Sequence, residues 1–172
     1  LMTEDIEQRP VGKQINNNYD IVIVGSGLVG ASLCLAFAGT AKAYGLSIAL
    51  LDAAPIAATT PSAAGALDGR ATALALGSRN LLHSIGLWQH LAPHAQAISN
   101  IQVSDQGQPW KSEMQAGDMQ TEALGYVLQN QTMGQVFLEQ ITQRCSEFVY
   151  LIDQAQVTAI DNARQDSQLE YQ

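Results

Sequence analysis

Three glycines, Gly25, Gly27 and Gly30, fall in the run GSGLVG, and a single carboxylate, Asp52, follows about 20 residues later. That spacing is the one at which a glycine-rich turn meets a diphosphate and an acid meets a ribose. The glycines have separate roles, since Gly25 allows the tight turn, Gly27 lets the backbone approach the diphosphate, and Gly30 lets a helix pack closely on a strand. Ser26 lies within the same loop. The helix that follows would present free N–H groups and partial positive charge to the phosphates. A carboxylate at position 52 accepts hydrogen bonds from ribose hydroxyls and repels a 2′-phosphate, so the spacing points to FAD or NAD and away from NADP. The plainer alternative is a βα turn whose glycines serve packing alone, with Asp52 a solvated strand end. Further along, Arg70 offers a fixed cation with planar donors suited to a diphosphate, or else a solvated loop residue.

These residues need a strand, a turn, a helix and a second strand to position them. YDIVIVG, from Tyr19, is a β-branched run ending in glycine, which suits a strand buried on both faces of a parallel sheet. A helix is predicted from Leu28 to Ala43, with Leu28, Ala31, Leu35 and Ala38 on one face and Gly45 as its stop. LSIALLD then forms a second buried strand ending at Asp52, completing a βαβ unit with parallel strands. Residues 53–69 are rich in Ala, Pro and Gly and read as a long mobile loop. After Arg70, ATALAL fits strand or helix, and GSRNLLHSIGLW reads as an amphipathic helix closed at Gly86. Strands are predicted at Ile98–Ser104, Gly125–Gln129, Phe148–Ile152 and Gln156–Ile160. A helix is predicted over Thr132–Arg144, carrying Met133, Val136, Phe137 and Ile141 at helical spacing. SQLEYQ begins a further alternating strand. Residues 1–18 are polar, lack an apolar period and read as a disordered leader.

Composition narrows the function classes. Of 172 residues, 47% are hydrophobic and only 14% charged, which excludes a disordered chain. Two cysteines exclude a disulfide scaffold, and Cys34 and Cys145 read as buried thiols of a reducing cytoplasm. A net charge of -8 and 6% aromatic residues argue against nucleic acid. The apolar stretch 21–38 follows an acidic flank and is broken by serines and glycines, so it reads as neither signal peptide nor membrane span. His83, His90 and His94 do not make a metal site, because Pro93 breaks the helix that would align the last two.

The segments DGRATALALGSRNLLHSIGLWQHLAPHAQAISNIQVSDQG and ALGYVLQNQTMGQVFLEQI resolve the choice between FAD and NAD. Together with the glycine loop they resemble the ubiquinone-biosynthesis hydroxylases, within the class A flavoprotein monooxygenases, from Tyr19 to about Ile160. The resemblance implies an α/β, Rossmann-like FAD-binding fold with a βαβ start, a mostly parallel sheet and a small antiparallel sheet. It implies that Gly25, Ser26, Gly27 and Gly30 surround the FAD diphosphate and that Asp52 binds the adenosine ribose. By the same resemblance Arg70 lies along the diphosphate and ribityl chain, Gln129 contacts the flavin side, and the backbone of Val157 meets the adenine. For Gln129, capping the following helix is nearly as good a role. The sequence departs from the family pattern at Gln106, often Arg, and near Gln131, commonly basic or His.

The implied activity is hydroxylation of a polyprenylated phenol: NAD(P)H is the transient electron donor, O2 supplies the inserted atom, and the cofactor carries the chemistry. A ubiquinone-biosynthesis protein complex, peripheral membrane contact and a cytoplasmic location belong to the same implication. Family members run to roughly twice this length. The later Asp-Gly and Gly-Asp segments and the substrate-facing sheet are not found, so residues 19–172 are expected to be the N-terminal part of an FAD-binding domain. The order Leu1, Met2 agrees with a fragment. Uncovered sheet edges and apolar faces would then limit its stability alone. Two rivals remain: a non-catalytic dinucleotide-binding fragment, and an NAD-dependent Rossmann dehydrogenase, which leaves the 53–69 loop and the Arg70 segment unexplained.

Overall fold

Every residue of Ile48–Leu51 is buried, as a central parallel strand requires. This strand, β2, pairs in parallel with β1 (Ile21–Val24) on one side and β8 (Val149–Ile152) on the other. A computed structural model describes residues 18–56, 69–104, 111–161 and 168–171. The expected leader, apart from Asn18, most of the 53–69 loop and Gln106 lie outside the described residues.

The β1–β2 connection is α1 (Leu28–Tyr44), which ends at Gly45 in the left-handed conformation, φ 67°. Its buried residues are Ala31, Cys34, Leu35 and Ala41, close to the predicted face. The helix leading into β8 is α4 (Asn130–Cys145), with Met133, Phe137 and Ile141 buried. Both helices share one core with Ile23, Ile48, Leu50 and Val149, so they cover the same face of the sheet. On the opposite face Ala49, Leu51, Ile152 and Ala155 form a smaller core. It is closed by Tyr19, Val157 and Leu169, the last two from the hairpin β9 (Val157–Asp161) and β10 (Gln168–Tyr171). At the near ends of β1 and β2, Oδ2 of Asp20 accepts the Ser47 amide at 2.7 Å and its hydroxyl at 2.8 Å, pinning the register Ile21 to Ile48.

Among the described residues antiparallel pairing is divided among three small sheets. In the largest, β7 (Gly125–Gln129) lies between β3 (Ala71–Ala75) and β4 (Gln96–Ile98). The segment after Arg70 is thus a strand; α2 (Leu76–Ser84) follows it directly, and Gly86 turns the chain with φ 73°. Trp88 begins a separate short helix, α3 (Trp88–Leu91), continued by a 3-10 turn over Ala92–His94 that contains Pro93. The single strand expected at Ile98–Ser104 is two. β4 pairs with β7, whereas β5 (Asn100–Ser104) pairs with β6 (Lys111–Gln115), and Ser99 marks the change of sheet.

Candidate functional site

The glycine loop leaves the end of β1 at Gly25, whose φ of 98° is accessible to glycine and strained for other residues. Its amide donates to the carbonyl of Leu51 at 2.7 Å, which fixes the turn against the end of β2. Gly30 sits in the first turn of α1, and a Cβ there would stand 1.8 Å from the carbonyl oxygen of Gly25 and 3.4 Å from Ile23 Cγ2. Helix and turn touch backbone to backbone at this point. Gly27 differs. It occupies the N-cap position with extended backbone (φ -62°, ψ -177°), and a Cβ there would meet nothing within 4 Å. Among the described residues no side chain caps α1, and its first turn carries no acidic residue. The helix therefore begins with orphan N–H donors and partial positive charge beside open space.

Asp52 faces this loop from the end of β2. Its Oδ2 accepts the Ser26 amide at 2.7 Å and the Ser26 hydroxyl at 2.6 Å, while Oδ1 accepts the Ala54 amide at 2.9 Å. The last bond is an Asx turn. Burial pushes the Asp52 carboxyl up, but the hydrogen bonds from Ser26 and Ala54 outweigh it and hold the group below the ordinary aspartate value. The Asp52 backbone is fixed too: its amide donates to Ile152 at 2.9 Å and its carbonyl accepts from Ala155 at 2.9 Å. Ala155 shares its small core with Leu51 and Val157, which brings Val157 to the same end of the sheet as Asp52.

Arg70 and Gln129 form a second group on the antiparallel sheet. Ala71 pairs with Gln129, and the Asn130 amide donates to the Arg70 carbonyl at 2.9 Å. Asn130 Oδ1 accepts the Thr72 hydroxyl at 2.6 Å, tying the start of α4 to β3. Gln129 stands at the N-cap of α4 without a side-chain capping bond. Sequence reasoning missed Thr72, Asn130 and the Ala54 amide. An aspartate at a strand end followed by Ala-Ala-Pro was an available signal for the Asx turn. Nothing local announces the Thr72–Asn130 pair, whose members are 58 residues apart.

Among the described residues no group of three or more His, Cys, Asp or Glu could hold a metal ion, and no helix is long and apolar enough to cross a membrane. Cys34 and Cys145 are buried free thiols; burial first, and Cys145 second, push Cys34 up to about 12.

No family model matches the chain. Ubiquinone hydroxylase UbiL of Rhodospirillum rubrum is 33% identical over 132 residues, which are 77% of this chain and 29% of that protein. The mitochondrial ubiquinone biosynthesis monooxygenase COQ6 of Rattus norvegicus is 27% identical over 128 residues, 72% of this chain and 25% of that protein. The chain thus spans less than a third of the length of these relatives. Among solved structures, p-nitrophenol 4-monooxygenase PnpA from Pseudomonas putida superposes with a TM-score of 0.66 at 20% identity, covering 88% of this chain and 35% of that one. The flavin-dependent monooxygenase PieE, solved in complex with FAD and substrate, superposes with a TM-score of 0.64 at 16% identity, covering 89% and 26%. The resemblance read from the residues is borne out: in sequence the chain is similar to ubiquinone-biosynthesis hydroxylases, and its Rossmann-like α/β fold is that of FAD-dependent monooxygenases.

Proposed function

We propose that this chain supplies the adenosine and diphosphate half of an FAD site in a monooxygenase that uses NAD(P)H and O2 to hydroxylate a polyprenylated phenol in ubiquinone biosynthesis. The observation that carries this reading is the joint geometry of loop and acid. An uncapped helix of 17 residues opens beside the unobstructed Gly27, and Asp52 is fixed across from it by Ser26. The donor set fits the group: free N–H groups and no acid in the first turn suit a diphosphate, and a carboxylate kept ionised suits ribose hydroxyls.

Bound FAD would supply the redox chemistry, accepting hydride equivalents from NAD(P)H and activating O2 toward the ring. The residues of this chain bind and orient. Gly25, Ser26, Gly27 and Gly30 shape the diphosphate cradle, Asp52 takes the ribose, and the Val157 backbone lies toward the adenine. Arg70, which directly precedes β3, and Gln129, which pairs with Ala71 at the end of β7, serve the remainder of the cofactor. The names of the relatives, a ubiquinone hydroxylase and a ubiquinone biosynthesis monooxygenase, support ubiquinone biosynthesis as the setting. A polyprenylated substrate is membrane-borne, so peripheral membrane contact and a ubiquinone-biosynthesis complex belong to the same reading. Val22, Val24, Val29, Leu33 and Phe37 form an exposed apolar strip along β1 and α1, the kind of surface a further layer covers, which favours part of a larger domain.

The test is to purify the intact protein, reconstitute it with FAD, and follow flavin absorbance and NAD(P)H oxidation with a polyprenylated phenol. Yellow protein with substrate-stimulated oxidation and O2 uptake is expected. A colourless protein contradicts the proposal, and flavin that NAD(P)H fails to reduce makes it a binding module instead.

A further inference from the structure

We infer that Asp52 accepts one hydroxyl of the adenosine ribose, through Oδ1, because Ser26 already fills Oδ2; this rests on the FAD reading of the same site. An ionised carboxylate has about four acceptor positions, two on each oxygen. Oδ2 uses both of its own, on the Ser26 amide at 2.7 Å and the Ser26 hydroxyl at 2.6 Å. Oδ1 uses one on the Ala54 amide at 2.9 Å and keeps one.

A carboxylate free to rotate can chelate a vicinal diol, one oxygen to each hydroxyl. Asp52 is not free. The Gly25 turn aims the Ser26 amide, the Asx turn places the Ala54 amide, and the backbone of Asp52 is bonded to Ile152 and Ala155. Turning the carboxylate toward a second hydroxyl would break at least one charge-assisted bond to gain another, with no net return. Ser26 is therefore a positioning residue. It fixes which oxygen of Asp52 reads the ribose and reduces the reading from two hydroxyls to one.

The experiment compares the affinity of the intact protein for FAD and for two analogues, one built on 2′-deoxyadenosine and one on 3′-deoxyadenosine. One analogue should bind about tenfold or more weaker than FAD, the loss of a hydrogen bond to a charged group, and the other within about twofold. Equal weakening of both analogues, or of neither, overturns the inference while FAD binding itself leaves the broader reading in place. Failure of FAD to bind defeats that reading and the inference with it. In Ser26→Ala, Oδ2 regains one acceptor position, so the formerly silent analogue should weaken as well; if it stays silent, Ser26 does not set the selection and the inference fails. In Asp52→Ala, which removes both acceptor oxygens, the difference between the analogues should vanish, and its persistence would assign the hydroxyl to another residue.

Discussion

Replacing Gly30 and Gly27 one at a time by alanine separates the structural from the ligand-facing part of the loop. At Gly30 the new Cβ would stand 1.8 Å from the Gly25 carbonyl oxygen and 3.0 Å from its carbon, whereas ordinary contacts lie at 3.4 to 4 Å. Both sides are backbone, so α1 must move away from the β1 turn by well over an ångström. Overpacking of this kind costs about 1–3 kcal/mol or more, and rigid neighbours on both sides place Gly30→Ala at the upper end. Alanine returns about 1 kcal/mol of helix propensity. A net loss of about 2 kcal/mol remains, which lowers Tm by roughly 4–8 °C in a domain of this size. At Gly27 the backbone suits any residue and a Cβ meets nothing within 4 Å, so stability should stay within about 0.5 kcal/mol of the parent. On the proposed FAD reading, affinity should nonetheless fall about tenfold or more, because the methyl would stand where the backbone is proposed to approach the diphosphate. Thermal melts and a flavin-fluorescence titration of the two variants measure both quantities. A Gly30→Ala protein as stable as the parent, or a Gly27→Ala protein that keeps full FAD affinity, would refute this division of labour.

Gly125→Ala should destabilise the β3–β7 pair by about 1–3 kcal/mol, since its Cβ would lie 2.5 Å from the Leu74 carbonyl oxygen, whereas Gly77→Ala, in open space on α2, should be neutral or stabilising in the same urea titration. Asp20 and Asp52 are both held below the ordinary value of 3.8, Asp20 by hydrogen bonds from the Ser47 amide and hydroxyl. The unfolded chain then protonates first as the solution is acidified. Their contribution to stability is complete above the ordinary value and is lost as pH falls through the lower native values. Urea midpoints between pH 6 and 3 should fall with pH, and less steeply in Ser47→Ala; a midpoint that rises on acidification contradicts the assignment. Burial raises both thiols, with Arg144 and Lys42 partly opposing it at Cys145, so a thiol reagent at neutral pH should label neither cysteine until the chain unfolds.

The βαβ start was legible because its signals are local: a β-branched run ending in glycine, a helical period closed by Gly45, and a second apolar run ending in an acid. Other elements depended on partners far along the chain. Ala71–Ala75 is alanine-rich, which by propensity favours helix, and its register with Gly125–Gln129 makes it a strand. Ile98–Ser104 looks continuous, yet its two parts hydrogen-bond to different sheets on either side of Ser99. Lys111–Gln115 shows no apolar alternation because all five of its residues are exposed, so its strand character comes from pairing with Asn100–Ser104. In the candidate site, Ser26 and Asp52 were each readable as members of a motif. Their hydrogen bonds were not, since the two residues meet only when β1 and β2 lie side by side.

A crystal structure of the intact protein with FAD would test the central claim most directly. The diphosphate should lie against the N-terminus of α1 beside Gly27, and the adenosine ribose should be hydrogen-bonded to Asp52 through Oδ1 alone, with both Ser26 bonds retained. FAD bound elsewhere, or seated with its ribose out of reach of Asp52, would contradict it.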